Sequence, residues 1–257
     1  MAGRLIRQVM FLVALAVQPW IPAVRAQQDL CDQLTWAELK GDLDPRNHAG
    51  FEPLPQHLST KNDLYLRTEV LDSLLRMTEA ARSAGITLTV ISATRDWNHQ
   101  RRIWNGKWAS PRFMGFEPLE RAASILEFSS MPGTSRHHWG TDVDLNALEN
   151  AYFEHGEGAL VYRWLFEHAH TFGFVQVYGD QRNGRTGYRE EKWHWSFWPL
   201  AEPLLHCYVR LRPADAFAGF QGAELSDSLR IFEEYVLGID GPDGRPFVLS
   251  ESPRITW

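Results

Sequence analysis

The order of helical and strand patterns constrains this fold more than any other feature of the sequence. Apolar residues between positions 62 and 84 recur at helical spacing, and Gly85 ends the run. The next segment, 86–92 (ITLTVIS), is β-branched and mostly alternating, which predicts a strand. Segments 174–178 and 193–198 predict a β-hairpin, but no regular strand–helix–strand alternation follows. We therefore predict an α+β fold rather than a doubly wound parallel sheet.

These patterns divide the chain into four predicted parts. Residues 1–26 carry a targeting pattern, and residues 27–60, with three prolines, predict an irregular N-terminal wrap. Residues 61–200 hold the mixed helices and strands of a compact core. Residues 201–257 predict a C-terminal extension, which is helical as far as residue 238 and ends in a tail rich in Gly and Pro.

The first 26 residues have the composition of a secretory signal peptide. Arg4 and Arg7 precede a short apolar run at 9–17, and small residues within 24–26 predict cleavage before Gln27. The apolar run is shorter than the roughly 20 residues that a membrane-spanning helix needs, although an uncleaved anchor is the alternative. We expect an exported protein, periplasmic or secreted, with no stable membrane span after cleavage.

Charge and cysteine content narrow the functional class. The chain has 26 Lys and Arg against 32 Asp and Glu, a net charge of −6, which argues against a nucleic-acid partner. Its two cysteines exclude a disulfide-rich scaffold. In an oxidising compartment Cys31 and Cys207 could pair and attach the N-terminal segment to the body of the fold; two unpaired buried thiols are the alternative.

Two short segments concentrate side chains that bind metals or transfer protons. Segment 135–144 (SRHHWGTDVD) has two His and two Asp, and segment 191–195 (EKWHW) has one Glu and one His. A His and an Asp from the first segment and a His from the second would supply the three protein ligands of a catalytic zinc, with Glu191 left as a base. Positions 137 and 144 are an odd number apart, so a turn or bulge is predicted at Gly140. Glu191 and His194 are also an odd number apart, so a kink or turn is predicted between them.

The spacing of these residues resembles a known motif pair. Ser135-x-His137-x-x-Gly140-x-x-x-Asp144, followed by Glu191-x-x-His194-Trp195, resembles the motifs of VanY-type D-alanyl-D-alanine carboxypeptidases. This family belongs to the zinc peptidase group that includes lysostaphin-type enzymes and the hedgehog signalling domain. Segment 92–100 resembles a third block, in which a strand delivers an arginine and a glutamine follows five positions later. The blocks occur in family order over about residues 60–200.

The resemblance implies a fold, a cofactor and a set of catalytic residues. The fold would be α+β, with an antiparallel central sheet flanked by helices and a single zinc site in a surface cleft. Residues 61–200 would form the zinc peptidase core. One Zn²⁺ per chain would be held by His137, Asp144 and His194. Glu191 would be the general base that activates the zinc-bound water, and Arg95 would stabilise the oxyanion.

The resemblance also implies substrate-binding residues and leaves some roles open. Ser135 and Gln100 would bind the substrate, Ser135 at its terminal carboxylate. We interpret His138 as a supporting or surface residue, with a ligand role as the alternative. Glu190 is the alternative base, although the three-residue offset to His194 favours Glu191. Asp142 stands where relatives often have a small residue, and could contact a ligating His.

The predicted reaction is zinc-dependent hydrolysis of the terminal D-Ala-D-Ala bond of peptidoglycan stem peptides by a monomeric D,D-carboxypeptidase. Two alternatives stay open. The same site could act as a D,D-endopeptidase or L,D-carboxypeptidase, a choice that depends on the cleft beyond the metal. A zinc-stabilised binding module without turnover is the other alternative, although the presence of both Glu191 and Arg95 argues against it.

Overall fold

The structure is a computed structural model that describes residues 30–249. The predicted signal peptide, residues 1–26, lies outside the described residues. Six helices are labelled: α1 (Trp36–Leu39), α2 (Thr68–Ser83), α3 (Trp97–Trp108), α4 (Pro118–Leu126), α5 (Gly156–His168) and α6 (Trp198–Leu211). Six strands are labelled: β1 (Phe51–Pro53), β2 (Tyr65–Arg67), β3 (Val90–Ser92), β4 (Asp142–Leu145), β5 (Phe174–Val175) and β6 (His194–Phe197). None of the helices in residues 30–249 has both the length and the apolar character needed to cross a bilayer.

Four strands form the central sheet, in the order β3-β4-β6-β5, and every neighbouring pair is antiparallel. The predicted α+β fold with an antiparallel central sheet is therefore confirmed. β5 and β6 pair as the predicted hairpin, joined by a long loop. β1 and β2 form a separate two-stranded antiparallel sheet, so the predicted N-terminal wrap contributes one strand beside the core.

Two hydrophobic clusters form the core, and one of them covers one face of the central sheet. On one face, α2 and α5 pack on apolar side chains that alternate along the strands, including Val143 of β4 and Trp195 of β6. The second cluster joins α3, α4 and α6 to the C-terminal segment. Because strand side chains alternate between faces, Asp142 and Asp144 of β4 and His194 of β6 point away from the first cluster.

A disulfide joins Cys31 to Cys207, which lies in α6. This confirms the pairing over the alternative of two free thiols. The bond closes a separation of 176 residues and attaches the N-terminal segment to the body of the fold. Constraining so long a loop in the unfolded chain favours the folded state.

Several predicted elements differ in extent from the observed ones. The helix predicted within 62–84 begins only at Thr68, after β2, and the strand predicted over 174–178 ends at Val175. The strand predicted over 86–92 begins only at Val90, because its partner β4 ends at Leu145, opposite Val90. The helix predicted as far as residue 238 ends at Leu211. Arg212 is extended, with ψ 120°, because the ring of the following proline disfavours helical backbone at the residue before it. Beyond it lie a 3₁₀ turn at Ala223–Leu225 and a short π-helix at Ile231–Val236.

Candidate active site

A left-handed glycine directs the first motif segment into the sheet. A short 3₁₀ helix at Arg136–Trp139 ends at Gly140, whose φ is 73°. A Cβ atom at Gly140 would lie 2.3 Å from Cε1 of Phe51, so a side chain there would clash as well as strain the backbone. The chain then enters β4 directly. The turn predicted at Gly140 is confirmed, and it brings His137 and Asp144 to the same side of the sheet.

His137, Asp144 and His194 form a buried cluster, with one candidate ligand atom from each residue within 4.8 Å of the others. Strand register produces half of this arrangement, because Asp144 of β4 lies directly opposite His194 of β6. Oδ1 of Asp144 is 3.1 Å from Nδ1 of His194, and Oδ2 is 3.3 Å from Nε2 of His137. The structure therefore brings together the three residues predicted as metal ligands.

Each imidazole has one nitrogen facing the cluster and the other paired outside it. Nδ1 of His137 lies 2.8 Å from the carbonyl oxygen of Ala93, and its Nε2 is buried with no hydrogen-bond partner among the described residues. Nε2 of His194 lies 2.9 Å from Oδ1 of Asp142, and its Nδ1 faces the cluster. Paired outer nitrogens are typical of metal-binding histidines, because the outer contact leaves the inner nitrogen unprotonated. The donor set fits a metal ion.

The charges in the cluster favour a bound cation. Burial alone would lower the pKa of His194, but hydrogen bonds with Asp142 and Asp144 raise that pKa to about 9. Burial alone would raise the pKa of Asp144, but the nearby charge of His137 and the hydrogen bond with His194 hold it well below its usual range. The cluster therefore retains an ionised carboxylate and draws a proton to His194. A divalent cation would compete with that proton.

Glu191 lies beside the cluster at the turn that leads into β6. Its Oε2 is 3.8 Å from Nδ1 of His194, and its backbone N–H donates to the carbonyl of Tyr178. The backbone N–H of His194 donates to the carbonyl of Glu191, which closes the turn that the odd spacing required. Burial raises the pKa of Glu191 to about 7. A buried carboxyl with such a pKa exchanges protons readily near neutral pH.

Arg95 enters the site from the loop after β3 and is held by Gln100. Nη1 of Arg95 donates to Oε1 of Gln100 over 3.0 Å, and Nη2 lies 3.9 Å from Oδ2 of Asp144. Gln100 is fully buried and uses its amide N–H to reach the carbonyl of Ser130. Both ends of the Gln100 side chain therefore contact protein, so its predicted contact with substrate stays a prediction.

A cavity of about 270 Å³ opens over the cluster. It is lined by the three cluster residues, by Glu191, Arg95, Ser135 and Trp193, and also by side chains that sequence reasoning did not single out: Ile103, Lys107, Phe128, Leu148, Tyr178 and Tyr188. Ser135 Oγ is buried with no hydrogen-bond partner among the described residues. Lys107 lies seven positions after Gln100 on α3, a helical spacing that places both on one face of the helix. That spacing was the available signal for Lys107.

His138, the alternative metal ligand, and Glu190, the alternative base, lie outside the metal-binding cluster. His138 is fully buried, with Nδ1 2.6 Å from the carbonyl of Arg95 and Nε2 accepting from the N–H of Gly133. The surface interpretation of His138 is therefore wrong, and its ring nitrogens are already occupied by supporting contacts. Glu190 lines a separate groove, which it shares with Asp180 and Trp195.

Comparison with known proteins assigns the chain to a family. The profile of VanY D-alanyl-D-alanine carboxypeptidases matches residues 63–200, which is more than half of the chain and includes every predicted site residue. The chain belongs to the VanY family. The resemblance seen in the three sequence blocks is thereby confirmed.

Two curated relatives match part of the chain. A D-alanyl-D-alanine carboxypeptidase of Enterococcus faecalis is 34% identical over 119 residues, covering 46% of this chain and 43% of the relative. The putative carboxypeptidase YodJ of Bacillus subtilis is 27% identical over 133 residues, covering 51% of this chain and 45% of the relative. The chain thus spans less than half the length of these relatives.

Solved VanY structures also resemble this chain. A variant of the vancomycin-resistance D,D-pentapeptidase VanY, in complex with Zn(II), is 28% identical with a TM-score of 0.47. That match covers 62% of this chain and 89% of the other. VanYB in complex with D-alanine-D-alanine is 26% identical with a TM-score of 0.46, covering 69% of this chain and 93% of the other.

Proposed function

We propose that this protein is a zinc-dependent D,D-carboxypeptidase that removes the terminal D-alanine from peptidoglycan stem peptides. One observation carries the proposal: in a VanY-family chain, a buried cluster of two imidazoles and a carboxylate lies next to a separate buried carboxyl group, in one cavity. The Enterococcus faecalis relative, 34% identical over the matched segment, is a D-alanyl-D-alanine carboxypeptidase, which supports the same substrate class.

The cluster has the donor set of a catalytic zinc site. Two histidines and one carboxylate are three protein ligands, a number that leaves a coordination position open for chemistry. In the proposal, His137, Asp144 and His194 hold Zn²⁺. When bound, zinc polarises the scissile carbonyl and lowers the pKa of the attacking water to about 7.

Glu191 transfers the proton in this reaction, first as general base and then as general acid. In its ionised form the carboxylate accepts a proton from the attacking water, and the resulting acid donates it to the amine that leaves. A group can perform both steps efficiently when its pKa lies near the working pH, and burial of Glu191 moves its pKa in that direction. The 3.8 Å separation from His194 places the carboxyl group next to the metal-binding cluster.

Arg95 supplies positive charge where the scissile carbonyl oxygen becomes negative. The hydrogen bond that Arg95 donates to Gln100 holds the guanidinium, so its charge is oriented before the substrate arrives. Fixed charges of this kind stabilise a developing oxyanion without reorganisation, and each typically contributes about 100- to 1000-fold in rate. The unpaired Ser135 hydroxyl, in the same cavity, offers a hydrogen bond to the substrate's terminal carboxylate.

Export to the cell wall fits the same proposal. We infer that residues 1–26 act as a cleaved signal peptide and that residues 61–200 form the catalytic core. The signal-like composition of the N-terminus supports export. The Cys31–Cys207 disulfide also supports it, since such bonds persist in oxidising compartments. Peptidoglycan stem peptides lie outside the cytoplasm, where an exported monomer would reach them.

The function is tested by following D-alanine release from a synthetic stem pentapeptide. Purified protein loaded with zinc should release one D-alanine per peptide. Dialysis against a chelator should remove the activity, and added zinc should restore it. In the proposed mechanism the metal, and not its protein ligands, polarises the scissile carbonyl. Equal activity before and after complete metal removal would refute the zinc mechanism.

A further inference from the structure

Asp142 lies behind the metal-binding cluster, on the far side of the His194 ring. Its Oδ1 is 2.9 Å from Nε2 of His194, whereas Nδ1 of His194 faces Asp144. Alternation along β4 explains the placement, because residues 142 and 144 share one face of the strand. Asp142 therefore cannot bind the same ion as Nδ1 of His194, but it does contact the opposite edge of that imidazole.

Both oxygens of the Asp142 carboxylate accept hydrogen bonds from neighbouring side chains. Arg136 Nε donates to Oδ1 over 3.1 Å, and the hydroxyl of Thr141 donates to Oδ2. Arg136 is itself fixed, since Nη2 donates to Oγ of Ser196 over 2.7 Å. Asp142, Thr141 and Ser196 are fully buried, and Arg136 is 2% exposed. The pair is thus a buried, oriented ion pair that terminates on a proposed metal ligand.

The two imidazoles of the cluster differ in what holds their outer nitrogen. His137 contacts a neutral carbonyl, that of Ala93, whereas His194 contacts a carboxylate. A carboxylate on the outer nitrogen of a metal-binding histidine fixes the tautomer and the orientation of the ring, and makes the inner nitrogen a stronger ligand. A buried ion pair seldom adds stability over well-packed apolar residues, so a positioning role accounts for its presence better than a stabilising one.

We propose that Asp142, oriented by Arg136, is a positioning residue that fixes His194 in the tautomer with hydrogen on Nε2 and so presents Nδ1 to the metal. The inference rests on the proposed zinc site. Asp142 does not touch substrate; it acts through His194. Arg136 balances the charge of the Asp142 carboxylate and holds its Oδ1 within hydrogen-bond distance of Nε2 of His194.

Three variants separate positioning from simple structural support. Asp142→Ala removes the acceptor but leaves the Arg136 guanidinium buried without its partner. The double variant Arg136→Met/Asp142→Ala removes both charges together and keeps an apolar interior, so it tests the proposal even where the single variant fails to fold. Asp142→Asn keeps an oxygen that accepts from Nε2–H. Glu190→Ala is the matched control, because its carboxyl lies in the separate groove.

The measurement is the zinc dissociation constant, obtained by competition with a chromophoric chelator, together with thermal unfolding of each metal-free protein. We expect the Arg136→Met/Asp142→Ala protein to bind zinc about 10- to 100-fold more weakly than wild type. Asp142→Asn should recover most of that loss, and Glu190→Ala should match wild type. Metal-free wild type and the double variant should unfold at similar temperatures.

Two outcomes would overturn the proposal. One is a folded double variant that binds zinc as tightly as wild type. The other is a double variant with a lowered unfolding temperature and an affinity loss that Asp142→Asn does not recover, which would make the pair structural. Failure of the proposed zinc site looks different, because wild-type protein would then bind no stoichiometric zinc at all. Failure of the proposed reaction alone would leave the zinc affinities as predicted and would appear only as a lack of D-alanine release.

Discussion

Replacing Glu191 with alanine should lower kcat for D-alanine release by about 100- to 10,000-fold, the usual contribution of a positioned general base. The protein should still carry one zinc per chain, since the three proposed ligands are untouched. The physical reason is the position of Glu191, 3.8 Å from His194 in the cavity and outside the three-residue cluster. Metal content by mass spectrometry and steady-state kinetics on a synthetic pentapeptide measure the two quantities.

Glu190→Ala provides the matched control for this variant. Glu190 is the preceding carboxylate in the same loop, but it lines the separate groove, so its loss should leave kcat close to wild type. Retention of full activity by Glu191→Ala would remove Glu191 as the base. Loss of zinc from Glu191→Ala would instead make Glu191 a ligand.

The second large effect is expected for His137→Ala. One of three protein ligands is lost, and the remaining Asp144 and His194 hold the metal too weakly to survive dialysis. We expect less than stoichiometric zinc and no measurable D-alanine release. The main chain should change little, because the contact that His137 makes outside the cluster is with a single carbonyl, that of Ala93. Zinc content after dialysis, measured beside circular dichroism, checks both statements.

An exposed histidine gives the control for that experiment. His168 on α5 is half exposed, so His168→Ala should retain zinc and activity. Stoichiometric zinc in His137→Ala would refute the ligand assignment. His138 could replace His137 only by giving up its contacts with the Arg95 carbonyl and the Gly133 N–H, so such a result would also require a rearranged loop.

Much of the candidate site could be predicted from the sequence because the information is local. The odd spacing between positions 137 and 144 required a change of direction, and Gly140 is the residue of that segment that adopts the left-handed backbone found there without a steric cost. The same reasoning required a turn between Glu191 and His194, and the backbone N–H of His194 closes it onto the carbonyl of Glu191. The spacing thus predicted where the chain must turn, and the resemblance to the family motifs implied which side chains converge.

Contacts between segments that are far apart in the sequence could not be predicted from local patterns. The ring of His138 is held by a carbonyl 43 positions earlier, at Arg95, and no local pattern distinguishes that role from surface exposure. The partner of Arg136 could be read only after the register placed residue 142 opposite Ser196. The predicted length of β3 was wrong for the same reason, because β3 begins only where its distant partner β4 ends, at Leu145.

The central claim is tested most directly by digesting purified muropeptides with the mature, zinc-loaded protein, with Glu191→Ala as the control and mass spectrometry as the readout. The account predicts the loss of one alanine from monomeric pentapeptides by wild type and no loss with the variant. Cleavage of dimers or tetrapeptides instead would retain the zinc chemistry but contradict the D,D-carboxypeptidase assignment. If zinc is bound and no muropeptide changes in mass, the result would contradict the proposal that the protein is an enzyme. It would favour a zinc-stabilised binding module.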